Sequence, residues 1–546
     1  MAIVVASSNL LHFLPSSSDP PYDLLRIHPS ISLLSKCRSL QSFKQIQAQF
    51  IKFGLHNTQF ALSKLVEFCA LSPYGSLSYA MSIFDSIHNP NHVIRNTMIR
   101  GYSLSSFPSL ALRCYVNMLL DGLEPDSYTF PFLLKSCTKL STADAGKQVH
   151  GHVFKFELED DVYVHTSLIN MYAQHGSLDD ARMLFDKSDF RDAVSFTALI
   201  TGYASRGYID KARELFNAIP VRDVVSWNAM ISGYAQIGMY DEALSLFNEM
   251  RKAKVTPDVS TCVSVLSACS HVGAIETGNW VRSWIEEQGQ DSNLQLVNAM
   301  VDMYAKCGDL NMARSLFDGI REKDIISWNV MIGGYTYMSK YKEALEIFHL
   351  MQLDKGEPNH ITLLHVIPAC AHLGALDLGK WIHTYIKKYY HDFPNETLWT
   401  SLINMYAKCG NIEVAKQIFC SMKTKSLASW NAMISGLAMH GDANRAIELF
   451  SEMAEEGFRP DDITFVTLLS ACCHTGFVDL GREIFNSMIN DYNISPQLQH
   501  YGCMIDLLAR AGFFEEAMSL VESMEMEPDE AIWGSILGAC RIHKNL

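Results

Sequence analysis

Residues 226–234 read SWNAMISGY, and the same pattern returns as SWNVMIGGY at 327–335 and as SWNAMISGL at 429–437. The copies lie 101 and 102 residues apart. Other strings keep the same spacing, because DMYAKCG at 302–308 returns as NMYAKCG at 404–410. Self-similarity at a fixed period is typical of repeat architectures, so the fold depends on the smaller unit inside this period.

Each period divides into three related units. Cuts at 224–258, 259–293 and 294–324 give lengths of 35, 35 and 31 residues. Within the first unit, apolar residues have helical spacing on both sides of Gly238, which predicts two helices joined by a turn. The same division gives units 92–126, 127–161, 162–192, 193–223, 325–359, 360–395, 396–426, 427–461, 462–497 and 498–529.

The repeated helical pairs predict the fold class. One pair of helices cannot bury its apolar face alone, so neighbouring units must stack around a continuous core. We therefore expect an all-α protein, a right-handed α-solenoid of tandem helix–turn–helix repeats spanning residues 24–529. A composition of 48% hydrophobic and 19% charged residues excludes a disordered chain. No uncharged apolar run reaches the roughly 18 residues of a membrane span.

The net charge, the cysteine spacing and a glycine-rich stretch argue against several classes of function. The formal net charge of −15 argues against a protein held on nucleic acid by bulk charge, although it permits a local basic stripe. The 14 cysteines include no C-x-x-C pair, which argues against a zinc knuckle or a redox dithiol. A P-loop-like stretch, 374–380, is followed by Trp381 where a phosphate site needs Ser or Thr. We predict no metal, no cofactor and no catalytic residue.

The strings identify a family resemblance. VVSWNAMISGYA at 224–235, followed by EALSLFNEM at 242–250, resembles the pentatricopeptide repeat of plants rather than the tetratricopeptide repeat. The alternation of 35, 35 and 31 residues resembles the family's P, L and S subclass, whose members are mostly organellar RNA-editing specificity factors. Residues 530–546 resemble the start of the extension motif that follows such arrays, truncated after its first helix.

The resemblance also implies what this sequence does not carry. Family members often continue into a cytidine-deaminase-like DYW domain, whose chemistry needs a His-x-Glu and a Pro-Cys-x-x-Cys. None of the 20 histidines is followed two residues later by Glu. The chain as given is therefore predicted not to be an enzyme. A DYW-type deaminase and accessory editing proteins become its expected partners.

The resemblance implies that each unit reads one RNA base with the fifth residue of its first helix and the last residue of the unit. An aliphatic residue at position two, such as Val93, Val225, Ile326 or Ala428, would pack on the bases. The predicted RNA-binding residues are Ser63, Asn91, Asn96, Asp126, Thr166, Asp192, Thr197, Asp223, Asn228, Asp258, Asn298, Asp324, Asn329, Asn359, Thr400, Ser426, Asn431 and Asp461.

The base-recognition code of the family implies a target RNA sequence for these residue pairs. Asn with Asp favours U over C, Asn with Asn favours C or U, and Thr with Asp favours G. From unit 92–126 onward the expected RNA is 5′-Y-n-G-G-Y-n-Y-C-n-R-Y-n-n-3′, preceded by A. The fifth residues of the L-type units offer no hydrogen bond and are left unread. Asn, Thr and Asp near helix starts are also ordinary caps, which is a competing explanation for each residue singly.

We therefore expect a sequence-specific single-stranded RNA-binding protein of a plant organelle that selects cytidines for C-to-U editing by positioning a deaminase. Residues 1–23 contain no Lys or Arg and several serines, which predicts a transit peptide or a disordered segment. The Met-Ala start favours the chloroplast over the mitochondrion. The alternative function is a helical scaffold that binds a protein partner in the concave groove, which the acidic charge favours.

Overall fold

The computed structural model describes residues 29–55, 58–140, 142–188, 191–390 and 396–543. These described residues form 31 α-helices and contain no strand, so the predicted all-α repeat fold is confirmed. Every helix in this part of the chain is too short or too polar to cross a lipid bilayer. The predicted transit segment, residues 1–23, lies outside the described residues, as do residues 544–546 of the predicted extension segment.

The helices alternate along the chain, and odd numbers denote the first helix of a unit and even numbers the second. They are α1 (Pro29–Leu34), α2 (Leu40–Lys52), α3 (Gln59–Leu71), α4 (Leu77–Asp85), α5 (His92–Leu104), α6 (Ser109–Leu120), α7 (Thr129–Leu140), α8 (Ala143–Lys155), α9 (Val162–His175), α10 (Leu178–Lys187), α11 (Ala193–Ala204), α12 (Ile209–Ala218), α13 (Val224–Gln236), α14 (Tyr240–Lys252), α15 (Val259–Val272), α16 (Ile275–Glu287), α17 (Leu294–Lys306), α18 (Leu310–Gly319), α19 (Ile325–Tyr337), α20 (Tyr341–Leu353), α21 (His360–Leu373), α22 (Leu376–Tyr389), α23 (Glu396–Lys408), α24 (Ile412–Ser421), α25 (Leu427–Met439), α26 (Ala443–Glu455), α27 (Asp462–Thr475), α28 (Val478–Asn490), α29 (Leu498–Arg510), α30 (Phe514–Glu522) and α31 (Glu530–His543).

Local sequence signals set the ends of the first helices. The last residue of one unit caps the first helix of the next, as where the Asp223 carboxylate accepts the N–H of Ser226 at the start of α13. Helices α21 and α27 end at Gly374 and Gly476, which have left-handed φ angles of 64° and 77°. Glycine adopts this conformation without the steric cost that other residues pay, so it ends the helix and starts the turn.

Contacts divide the chain into two compact bodies, Met1–Val272 and Gly273–Leu546. In the first body α9 packs on α11 and α11 on α13, while each second helix packs on the first helix of its own unit. The second body repeats this arrangement with α17 on α19 and α23 on α25. Within each body the first helices thus form one layer and the second helices another, and the buried core lies between the layers.

The tryptophan of the repeated SWN string joins neighbouring units. Trp328 is buried and meets the ring of Phe317 edge-on, with 5.2 Å between the ring centroids. Lys323 lies over both rings, 5.0 Å from the centre of Phe317 and 6.0 Å from that of Trp328. The same three-part contact recurs as Phe216, Arg222 and Trp227, and as Phe419, Lys425 and Trp430.

Small residues let adjacent first helices approach closely. A Cβ atom placed on Gly334 of α19 would lie 2.5 Å from the Cβ of Ala305 of α17, closer than two carbon atoms can pack. Both residues belong to repeated dipeptides, Gly-Tyr and Tyr-Ala, and the same contact recurs between Gly233 and Ala204 at 2.6 Å. The periodic Gly and Ala residues are therefore required by the spacing of the stacked helices.

We expect Gly334→Ala to destabilise the second body by about 1–3 kcal/mol, because the added methyl group overpacks the helix contact. Helix propensity alone would favour alanine by about 1 kcal/mol, so the sign of the effect is diagnostic. Urea unfolding followed by circular dichroism measures it. Gly319→Ala in α18 is the matched control, since a Cβ there meets no atom within 4 Å. An unchanged or raised stability of Gly334→Ala would contradict the packing argument.

Candidate nucleic-acid interface

The predicted site residues lie where one first helix meets the start of the next. The fifth residue of a unit is on the first turns of its first helix, and the last residue of the unit directly precedes the first helix of the next unit. Asn228 on α13 and Asp258 before α15 are one such pair. Because α13 packs on α15, a contact between neighbouring helices brings two residues 30 positions apart together.

In the four units that begin with α5, α13, α19 and α25, which we call the asparagine units, the fifth residue is bonded to the last. The Asn228 Nδ2 atom donates to both carboxylate oxygens of Asp258, at 2.9 and 3.0 Å. A carboxylate can only accept, so it must face the nitrogen end of the amide. The other pairs are Asn96 with Asp126 at 2.8 Å, Asn329 with Asn359 at 3.1 Å and Asn431 with Asp461 at 3.0 Å.

The last residue of each of these units has a second role as a helix cap. The Asp461 Oδ1 atom accepts the N–H of Thr464 at 2.9 Å. Burial raises the pKa of Asp461, but hydrogen bonds from Thr464 and from the Asn431 amide outweigh this and bring the pKa below its usual value. Capping therefore accounts for the last residue of the pair, whereas the fifth residue lies inside the helix and is not a cap.

The short units have weaker or different contacts. The Asn298 Nδ2 atom donates to Asp324 at 3.3 Å, and the Thr166 hydroxyl to Asp192 at 3.5 Å, the outer limit of a hydrogen bond. The Thr197 hydroxyl donates instead to the carbonyl of Ala193, one turn back on its own helix, and Asp223 caps α13.

Two further predicted pairs, like that of Thr197 and Asp223, are not joined by a hydrogen bond. The Thr400 hydroxyl is buried and has no partner among the described residues, while Ser426 caps α25 through the N–H of Ser429. Ser63 is buried and donates to the carbonyl of Phe60, and Asn91 caps α5. Ser63, Asn91 and Ser426 thus bond to the local backbone.

Position two of the first helix carries a series of exposed apolar side chains. Val93, Val225 and Ile326 are 59, 53 and 55% exposed, and Ala428 is exposed as well. Positions two and five are three residues apart and therefore share a helix face. Position two of other units carries further exposed apolar side chains beside the site, which were not among the four predicted residues. They are Tyr163, Val194, Ile361 and Ile463.

A local basic cluster lies on the first helices α5 and α7. Arg100 is one turn beyond Asn96 and on the same face, and its guanidinium lies 5.2 Å from the ring centre of Phe132. Burial and the neighbouring charges of Lys139 and Arg100 lower the pKa of Lys135. Three cations are therefore close together beside an asparagine pair, in a chain whose net charge is −15.

A stack of helical hairpins with one periodic row of paired polar side chains defines a modular helical-repeat binding protein. The chain belongs to the pentatricopeptide repeat (PPR) family. The PPR repeat family model matches residues 222–271 and 425–474. The PPR repeat model matches residues 93–123, 163–188, 194–224, 296–325, 326–355, 397–427, 463–492 and 500–527.

Two relatives from Arabidopsis thaliana match nearly the whole chain. The chloroplastic pentatricopeptide repeat-containing protein At1g08070 is 60% identical over 545 residues, covering 100% of this chain and 74% of that protein. The mitochondrial protein At2g22410 is 40% identical over 573 residues, covering 98% and 79%. The first name agrees with the predicted chloroplast location, and the second with the mitochondrial alternative.

Solved structures support the fold. The crystal structure of PPR10 from maize covers 92% of this chain and 79% of its own, with a TM-score of 0.52 at 17% identity. PPR10 in complex with an 18-nt psaJ RNA element covers 95% and 88%, with a TM-score of 0.54 at 17% identity. At this identity the likeness establishes the architecture alone.

We expect Asp461→Ala to loosen the start of α27 by about 1 kcal/mol at pH 7 through loss of the cap. Because the folded-state pKa of Asp461 is lowered, its stabilising effect is fully present above its ordinary pKa of about 4 and is lost as the pH falls below that value. The difference between variant and parent should therefore shrink in acid.

Hydrogen exchange of peptides that cover the start of α27, measured at pH 7 and near pH 3.5, follows this effect locally. Asp377→Ala is the control, since its side chain is 99% exposed and lies outside the pairs. Equal protection of α27 in parent and Asp461→Ala at pH 7 would show that the carboxylate does not hold this helix start.

Proposed function

We propose that this chain is a sequence-specific single-stranded RNA-binding protein of a plant organelle, and that the organelle is the chloroplast. It is a binding protein and not an enzyme. The observation that carries the proposal is the hydrogen bond from the fifth residue to the last, which recurs in four units beside an exposed apolar side chain.

The pair has the chemistry that base reading needs. An amide nitrogen carries two hydrogens, and one suffices for the carboxylate. The second N–H of Asn228 can therefore donate to an acceptor on the edge of a pyrimidine, while Val225 provides an apolar surface for the base face. Single-stranded RNA exposes both its base edges and its base faces, so each unit would take one nucleotide of the predicted register.

The family relationship supports the ligand class, since the similar PPR10 has been solved with an RNA element. The chloroplastic name of one relative supports the location. The basic cluster of Arg100, Lys135 and Lys139 supports a polyanionic ligand beside the pair of Asn96 and Asp126. The net charge of −15 favours the second candidate, a scaffold for a protein partner in the same groove.

We further propose that the chain belongs to the PLS subclass and selects cytidines for C-to-U editing by a DYW-type deaminase that it recruits. The alternation of unit lengths of 35, 35 and 31 residues and the sequence of residues 530–546 support this assignment. The chain would then bind the RNA beside the target cytidine, and the deaminase would catalyse the C-to-U reaction.

Binding of the full chain to a fluorescent RNA with the predicted register tests the RNA proposal. We expect at least about tenfold tighter binding than to an RNA with the two G positions and the C position exchanged, at one fixed salt concentration. Asn359→Asp is a matched variant, because it makes the pair of Asn329 the same as that of Asn228. It should move the preference at that base from C towards U. Equal binding of the two RNAs would favour the scaffold instead.

Sequencing organellar transcripts from plants that lack this protein tests the editing proposal. We expect one or a few cytidines, each a few nucleotides 3′ of the predicted register, to stay unedited while other edited sites are unchanged. Expression of the parent chain should restore them, and an Asn228→Ala, Asn431→Ala double variant should not, because two base contacts are removed. Normal editing at every site would contradict this role and leave RNA binding itself untouched.

A further inference from the structure

Each asparagine unit is followed by a unit whose third residue is threonine. Thr129, Thr261, Thr362 and Thr464 are fully buried, and each hydroxyl donates to the Oδ1 atom of the preceding fifth-position asparagine. The distances are 2.8 Å to Asn96, 2.5 Å to Asn228, 2.6 Å to Asn329 and 2.8 Å to Asn431.

The position of the hydroxyl proton follows from the surrounding acceptors. The Thr464 oxygen lies 2.8 Å from Asn431 Oδ1 and 2.7 Å from Asp461 Oδ1, and it accepts the N–H of Asp461. A hydroxyl has one hydrogen. Asp461 Oδ1 also accepts the N–H of Thr464 and the Asn431 amide, whereas no other described group donates to Asn431 Oδ1, so both acceptors are satisfied when the hydroxyl hydrogen lies toward Asn431. The amide does not turn, because its nitrogen already donates to Asp461. The threonine therefore holds one end of the amide and the carboxylate the other.

Asn298 shows the arrangement without a threonine. The third residue of the next unit is Ser327, whose hydroxyl donates to Asp324 at 2.7 Å. Within the described parts of the chain, the Asn298 Oδ1 atom is buried without a hydrogen-bond partner, and its nitrogen is held only by the 3.3 Å contact with Asp324. Threonine is restricted at χ1 by its methyl group, whereas serine can turn its hydroxyl to another acceptor.

We infer that Thr129, Thr261, Thr362 and Thr464 are positioning residues that fix which edge of the preceding asparagine faces a base. This inference rests on the proposed function. An amide held at both ends presents a hydrogen-bond donor at a defined place. The amide of Asn298 is held only by the 3.3 Å contact of its nitrogen and can turn, so that its oxygen instead of its nitrogen faces a base. Its unit should therefore discriminate U from C less sharply than the asparagine units with an Asp partner.

Paired substitutions test the inference in both directions. Thr464→Val removes the hydroxyl and keeps the shape, and we expect the U-over-C preference at the base of unit 427–461 to fall at least about threefold. The preference at the base of unit 224–258 should not change. Thr467→Val, on the same helix, is the matched control because its hydroxyl bonds only the carbonyl of Ile463. Ser327→Thr should sharpen the U-over-C preference at the base of unit 294–324.

A structural measurement without RNA separates this inference from the proposed function. In a crystal structure of Thr464→Val, we expect the Asn431 amide to turn or to occupy two orientations. A single orientation that still donates to Asp461 would overturn the positioning role, whatever RNA does. If the parent chain itself does not distinguish the RNAs, the proposed function fails and the crystal structure still decides the inference. If Thr464→Val unfolds its repeat, Ser327→Thr decides the inference. A sharper U-over-C preference at the base of unit 294–324 would support it, and an unchanged preference would overturn it.

Discussion

The close approach of successive first helices is the constraint on which the site depends. Gly334 and Ala305 leave no room for an additional methyl group between α17 and α19, and the equivalent residues do the same elsewhere in each body. This spacing places the start of each first helix within hydrogen-bond reach of the helix before it. A contact such as that of Asn329 with Asn359 exists only at this separation. Small residues near one end of the helix thus determine the polar geometry near the other.

The last residue of a unit serves two neighbours at once. Asp461 caps α27, which stabilises the next unit, and accepts a hydrogen bond from Asn431, which orients the previous one. One carboxylate oxygen has two lone pairs and can satisfy both demands without loss. Because capping and pairing use the same residue, a substitution of Asp461 changes both the start of α27 and the hydrogen bond that holds the Asn431 amide. Substitution of a residue that only caps a helix has no such double effect.

Much of this could be predicted from the sequence, because the repeats fix the register. The first helices α13, α17 and α19 begin at the first residues of the units cut from the sequence, and the repeated Gly and Trp residues lie at helix contacts. Unit 127–161 differs, since α7 begins two residues after the cut, at Thr129. The register also gave the residues of the asparagine pairs, although their reading of bases stays a prediction.

The direction of individual hydroxyl groups could not be predicted. Thr197 and Thr400 occupy the same register position as Asn298, yet one bonds its own helix and the other has no partner among the described residues. A hydroxyl group can donate to different acceptors whose distances from it differ by a few tenths of an ångström, and these distances depend on packing between helices. The hydrogen bonds from the third-position threonines to the preceding asparagines could not be predicted either, because the pattern of these threonines in the sequence is indistinguishable from that of capping residues.

The acidic charge limits how the proposed RNA-binding protein can gain affinity for its ligand. A protein that neutralises many phosphates gains affinity for every sequence equally and loses it steeply with salt. Here several asparagine pairs carry a carboxylate, and the basic cluster on α5 and α7 is confined to two units, so phosphate contacts can contribute little. Affinity must then come from base stacking and hydrogen bonds summed over many units. Such binding is modest in strength, but most of its free energy depends on sequence, which would suit the proposed selection of a few sites among many transcripts.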